Sequence, residues 1–137
     1  MPESNGHGRA RVSIVIVSHS PAVAKGTADL VRQMTGDDIG LEWCGGDPAG
    51  GLGSDAEAIG AAIEKVWSKS GVAIFVDLGG TEMNVELAIE RMPQERRRKV
   101  VVCDAPIVEG AVVAGNLALS GANLRKIRSS VEEQSGI

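Results

Sequence analysis

Residues 12–26 read VSIVIVSHSPAVAKG, and the fold follows from how that stretch divides. Val12–Val17 is an apolar, largely β-branched run, the composition of a strand buried on both faces. Ser18, His19 and Ser20 follow at once. Pro21 then opens a pattern over residues 22–34 with Val23, Thr27, Leu30, Val31 and Met34 at helical spacing. Ser20 before Pro21 supplies a hydroxyl cap and a proline at the first helical position, and Gly36 ends the helix. In an open parallel sheet, the carboxyl end of such a strand faces the crevice where ligands bind. His19 stands there. The second histidine, His7, belongs to a polar leader, MPESNGHGRA.

The alternation repeats along the chain. Residues 39–43 form a short second strand. The glycine-rich segment CGGDPAGGLG follows, and Ser54-Asp55-Ala56-Glu57 matches a capping box before Ile59, Ala62, Ile63 and Val66. A third strand, VAIFVD over 72–77, is apolar on both faces and therefore central. Leu78-Gly79-Gly80-Thr81 turns it into a helix over 82–92 with Val85, Ala88, Ile89 and Met92 inward. After PQERRR, residues 99–103 form a fourth strand, Asp104-Ala105-Pro106 a turn, and residues 108–119 a helix. Residues 123–133 read as a last short helix that frays into a tail. The pattern predicts one α/β domain over 12–128. Its four-stranded parallel sheet is doubly wound in the order 2-1-3-4, with a disordered leader over 1–11 and a tail over 129–137.

Composition agrees with that class. The chain has 137 residues, 43% hydrophobic but only 2% aromatic, so Val, Ile, Leu and Ala must fill the core. A net charge of −4 argues against nucleic acid as a main partner, because neutralising phosphates needs a basic field. No apolar stretch approaches the ~20 residues of a membrane span. The leader has no apolar signal core, so a cytoplasmic location is expected. Cys44 and Cys103 lack metal-ligand spacing. With strand order 2-1-3-4 they lie on outer strands, three spacings of ~4.8 Å apart, so both should be free thiols.

The strand ends bring together His19, Gly51–Ser54, Asp77–Thr81 and Ala105–Glu109, with helix N-termini that favour an anion, above all phosphate. A neutral imidazole attacks phosphorus through one ring nitrogen when an acceptor holds the other protonated. Asp77 is the candidate acceptor. Gly53, Gly79 and Gly80 allow close backbone approach, and Ser20, Ser54 and Thr81 can add hydroxyl donors. A phosphohistidine carrier of this kind needs no metal and no other cofactor.

These residues resemble a known family. HS at the first strand end, VDLGGTEMNVELAIE, DPAGGLGSDAEAI and DAPIVEGAVVAGNLALSGANL look like the enzyme IIA domain of the mannose-type phosphotransferase group. The nearest branch is that of the phosphotransfer subunits of bacterial dihydroxyacetone kinase. The resemblance spans about residues 12–127. It implies that His19 accepts a phosphoryl group from the carrier protein HPr, charged from phosphoenolpyruvate through enzyme I. His19 then passes it to ADP on a nucleotide-binding kinase subunit, and a third subunit phosphorylates dihydroxyacetone. It also implies a homodimer, and for Asp77 the role already given. Some members carry fused HPr-like and enzyme I-like domains; with the chain ending at Ile137, those functions are expected from other proteins.

Other readings compete. GLGSDA formally matches a dinucleotide fingerprint, but it follows the second strand through a long loop. Ser18 and Ser20 lack the G-x-S-x-G context of a hydrolase nucleophile. The basic run Arg96–Lys99 sits at the amino edge, where a solvated loop is expected, and Trp43 and Trp67 read as core or dimer-contact residues. Two functional alternatives remain: a sugar-transport enzyme IIA that passes phosphate to a IIB domain, and a regulatory module that binds an anion without chemistry.

Overall fold

The structure, a computed structural model, describes residues 11–49, 51–77 and 79–135. The elements in chain order are β1 (Ser13–Ser18), α1 (Pro21–Thr35), β2 (Leu41–Gly45), α2 (Ala56–Lys65), β3 (Val72–Val76), α3 (Gly79–Glu90), α4 (Gln94–Arg97), β4 (Val100–Cys103), α5 (Ile107–Leu119) and α6 (Leu124–Ser135). The sheet is parallel, in the expected order β2-β1-β3-β4. Successive side chains of β1 feed opposite cores. Ile14 and Ile16 pack with Ala73 and Phe75 beneath α1, α5 and α6. Val15 and Val17 pack with Val72 and Ile74 beneath α2 and α3. All four β1 residues are at most 1% exposed, which is why the run carries no polar alternation.

Helix α1 buries a different face from the one its large residues suggest. Ala24, Thr27, Ala28, Val31 and Thr35 point inward, whereas Val23, Leu30 and Met34 are 42%, 47% and 38% exposed. Close approach of α5 is the cause. A Cβ on Gly115 would lie 2.9 Å from Val31 Cγ1 and 3.4 Å from Thr35 Cγ2. The bare Gly115 lets α5 seat directly against Val31 and Thr35, so α1 turns that face, with its alanines and threonines, inward.

Several boundaries also move. The second strand begins at Leu41 rather than at residue 39, because Ile39 is already buried ahead of the ladder and Leu41 is the residue set opposite Ile14. It runs on through Gly45, where a Cβ would lie 2.7 Å from Ser18 O and 3.0 Å from Pro21 Cα. Helix α3 starts three residues early, at Gly79, and the polar break contains the one-turn α4. The last helix, expected over 123–133, is α6 over Leu124–Ser135; it therefore runs past the domain boundary drawn at residue 128, and Val131 on it is buried in the core. The leader over residues 1–10 lies outside the described residues; Arg11 O accepts a 2.7 Å bond from Ser68 Oγ. Arg96, expected in a solvated loop, stacks on Trp67 at 4.4 Å and pairs with Glu64 at 2.7 Å.

Cys44 and Cys103 are both free, as the strand order requires. Burial, helped by neighbouring Glu42 and Glu132 respectively, pushes each thiol up to about 12. Since the thiolate is the nucleophile, iodoacetamide at pH 8 should alkylate the native protein at least roughly a hundredfold more slowly than the unfolded chain, whose thiols have a pKa of about 8.5. Mass spectrometry over a time course reads this directly. Replacing Gly115 by Leu should overpack the α1–α5 crossing and cost about 1–3 kcal/mol in denaturant unfolding.

Candidate active site

The β1–β3 register pairs Val17 with Val76, so the residues that follow each strand emerge side by side. His19 Nδ1 lies 3.1 Å from Asp77 Oδ2. Ser18 Oγ donates to that same oxygen at 2.5 Å and accepts the Ser20 N–H at 3.0 Å. Ser18 is fully buried, so its hydroxyl must find partners, and these two fix the carboxylate and the turn together. A carboxylate opposite Nδ1 makes that nitrogen the N–H donor and leaves the lone pair on Nε2. The His19 side chain is 33% exposed and that of Asp77 15%. The imidazole is thus open to an incoming group while its orienting partner is mostly covered.

The glycine-rich segment closes against this turn. Gly53 N–H donates to His19 C=O at 2.8 Å. At φ 141° Gly53 occupies a backbone region that favours glycine, with its missing Cβ facing Asp47 at 3.1 Å. Asp47 organises the loop: Oδ1 accepts the N–H groups of Ala49 at 3.0 Å and Gly51 at 2.8 Å, and its own N–H donates to Gly51 O. At the far end, Asn84 Nδ2 on α3 donates to Ser54 Oγ at 2.6 Å. Two loops from different strands are thereby fastened to each other beside His19.

The expected site residues fall as follows. His19 and Asp77 are in direct contact. Gly53 touches the backbone of His19, and Gly79 and Gly80 form the first turn of α3, whose N–H groups lack intrahelical partners. Ser20 sits beside His19, but its Oγ is the α1 cap, accepting Val23 N–H at 3.4 Å. Ser54 does not close a capping box. Asp55 caps α2 through Glu57 N–H, and Ser54 is drawn to Asn84. Thr81 is only 2% exposed. Glu109 lies exposed in the first turn of α5, following β4, two strands from β1. Sequence reasoning missed Ser18, Asp47 and Asn84 as site-builders. Asp47 had a signal, an aspartate before Pro48 and glycines, which marks an Asx-type turn. Ser18 and Asn84 act through tertiary partners with no local trace. Among the described residues no three His, Cys, Asp or Glu side chains cluster as a metal site would need, and no helix is long and apolar enough to cross a membrane.

Comparison with known proteins adds the lineage. Residues 13–128 match the family described as PTS system fructose IIA component. The phosphoryl donor subunit DhaM of the PEP-dependent dihydroxyacetone kinase of Escherichia coli K12 is 37% identical over 119 residues, covering 85% of this chain but 25% of that protein. The DhaM of kinase 2 from Listeria innocua is 35% identical over 103 residues, 75% of this chain and 82% of the relative. That of Lactococcus lactis, a phosphotransferase subunit, is 33% identical over 120 residues, 88% and 93%. This chain therefore spans a quarter of the Escherichia coli protein and most of the two shorter ones. Among solved structures, the unknown-function protein EF1359 superposes with a TM-score of 0.78 at 30% identity, covering 89% of this chain and 93% of its own. A stretch of the dihydroxyacetone kinase from C. freundii, 26% of that chain, shares the fold alone, with a TM-score of 0.64 at 18% identity over 93% of this chain. By the match over residues 13–128, supported by these relatives, the chain belongs to the EIIA-man family of phosphotransferase-system IIA domains.

Proposed function

We propose that this chain is the phosphoryl-carrier subunit of a dihydroxyacetone kinase, working through a phosphohistidine at His19. The carrying observation is the partly exposed imidazole whose Nδ1 is held on Asp77, itself pinned by buried Ser18. Nε2 attacks the phosphorus of phospho-HPr. The new N–P bond forms as the donor's N–P bond breaks, and Nδ1–H stays on Asp77, which stabilises the positive charge on the phosphorylated ring. An ADP β-phosphate oxygen on the nucleotide-binding subunit then takes the phosphoryl group, and the ring returns to neutral. The N-terminus of α3, which opens at Gly79 two residues after Asp77, offers the phosphoryl oxygens a positive dipole end. The DhaM names of the relatives support the choice of kinase. A homodimer in the cytoplasm completes the reading; the exposed row Val23, Leu30 and Met34 on α1 is apolar surface of the kind a second copy covers.

Incubation with phosphoenolpyruvate, enzyme I and HPr should load one acid-labile, base-stable phosphate per chain, and His19→Ala should take up none. Adding ADP and the kinase subunit should release ATP. Loading without ATP would instead mark a sugar-transport IIA, and absence of loading an anion-binding module. Asp77→Asn should slow loading by about 10²- to 10⁴-fold while the fold persists, because the tautomer is no longer fixed. Ser18→Ala should slow it less and cost about 1–3 kcal/mol of stability by removing a buried bond to a charged acceptor; stopped-flow transfer and urea melts separate the two effects.

A further inference from the structure

Asn84 lies in the second turn of α3, outside the positions that fill the core. Asparagine is among the weaker helix formers, so its place here calls for a tertiary reason. Side chains on a helix tilt toward its N-terminus, so the Asn84 amide reaches back toward the strand ends. There Nδ2 donates to Ser54 Oγ at 2.6 Å, across 30 residues of chain. Three consecutive residues of the glycine-rich loop thus fasten three elements. Gly53 N–H holds the His19 carbonyl, Ser54 is held by α3, and Asp55 caps α2. Ser54 thereby spans the gap between the His19 turn and α3, the helix that opens just after Asp77.

A serine hydroxyl offers one proton and two lone pairs. The Asn84 N–H occupies one lone pair, so the Ser54 proton is turned away from the amide. No acceptor meets that proton among the described residues. The Ser18 proton, by contrast, is committed to Asp77. Ser54 is partly buried, stands next in sequence to the residue that holds His19, and has a donor to give. A phosphoryl group is the complement, since it brings three strong acceptor oxygens to the ring beside it.

Resting on the phosphohistidine reading, we propose that Asn84 is a positioning residue for phosphoryl transfer. Its amide fixes Ser54 as a donor, and the Ser54 O–H bonds a phosphoryl oxygen while the group rests on His19. The proton stays on Ser54, and no bond is made or broken beyond the N–P exchange already described. The contact exists only in the phosphorylated chain, so it stabilises the phosphohistidine against return to the donor. Asn84→Asp supplies acceptors alone. It draws the Ser54 proton to itself and turns the Oγ lone pairs on the phosphoryl oxygens. Asn84→Ala releases the hydroxyl to rotate, and alanine, the better helix former, keeps α3.

The test measures the equilibrium constant for phosphoryl exchange between purified phospho-HPr and the full chain, with urea melts to show that each variant is folded. Ser54→Ala should shift the constant toward phospho-HPr roughly 10- to 100-fold, the worth of a hydrogen bond to a charged acceptor. Ser54→Thr keeps the hydroxyl and should recover most of that shift. Asn84→Ala should give part of the Ser54→Ala effect, and Asn84→Asp at least all of it. Adding Asn84→Ala to Ser54→Ala should change the constant no further, because the amide then has no hydroxyl to orient. The proposal fails if Ser54→Ala keeps the wild-type constant or if Ser54→Thr does not restore it. It fails equally if the two alanine effects add, which would make Asn84 a structural tie and nothing more. A wild type that takes up no phosphate overturns the phosphohistidine reading and this inference together. One that loads while every variant matches it overturns this inference alone.

Discussion

The hydrogen-bonded register between β1 and β3 is the constraint on which the rest of the structure depends. It pairs Val17 with Val76 and so delivers Ser18 and His19 next to Asp77. A slip of one residue would exchange the faces of every side chain on β1, sending Ile14 and Ile16 to the α2–α3 side and Val15 and Val17 to the other. Both faces are dry and tightly filled, so the sheet tolerates a single alignment, and the polar contact at its end inherits that rigidity.

The turn itself shows how a buried hydroxyl can serve a partly exposed ring. Ser18 is the last residue of β1 and has lost all contact with water. Its hydroxyl spends its proton on Asp77 and its lone pair on the Ser20 N–H. The carboxylate therefore keeps its position whichever way the imidazole rocks. Polar groups in such a chain reinforce one another because each member is satisfied.

Much of this was legible in the sequence, for physical reasons. Strand–helix alternation and apolar runs are local signals, and with right-handed crossovers they leave few topologies, so the order 2-1-3-4 and the meeting of His19 with Asp77 could be read in advance. What escaped depends on contacts distant in the chain. The inward face of α1 is set by Gly115 on α5, about eighty residues away, and not by its own large residues. Ser54 and Asp55 are equally able caps; Asn84 decides between them by claiming the serine.

The loop built around Asp47 carries a consequence for encounter between proteins. One carboxylate oxygen gathers two backbone N–H groups, and the loop's end is tied to both His19 and α3. Its entropy of ordering is spent during folding, before any partner arrives. A visiting protein meets a rim already fastened at Asp47, Gly53 and Ser54, so less of the ordering cost falls on the encounter.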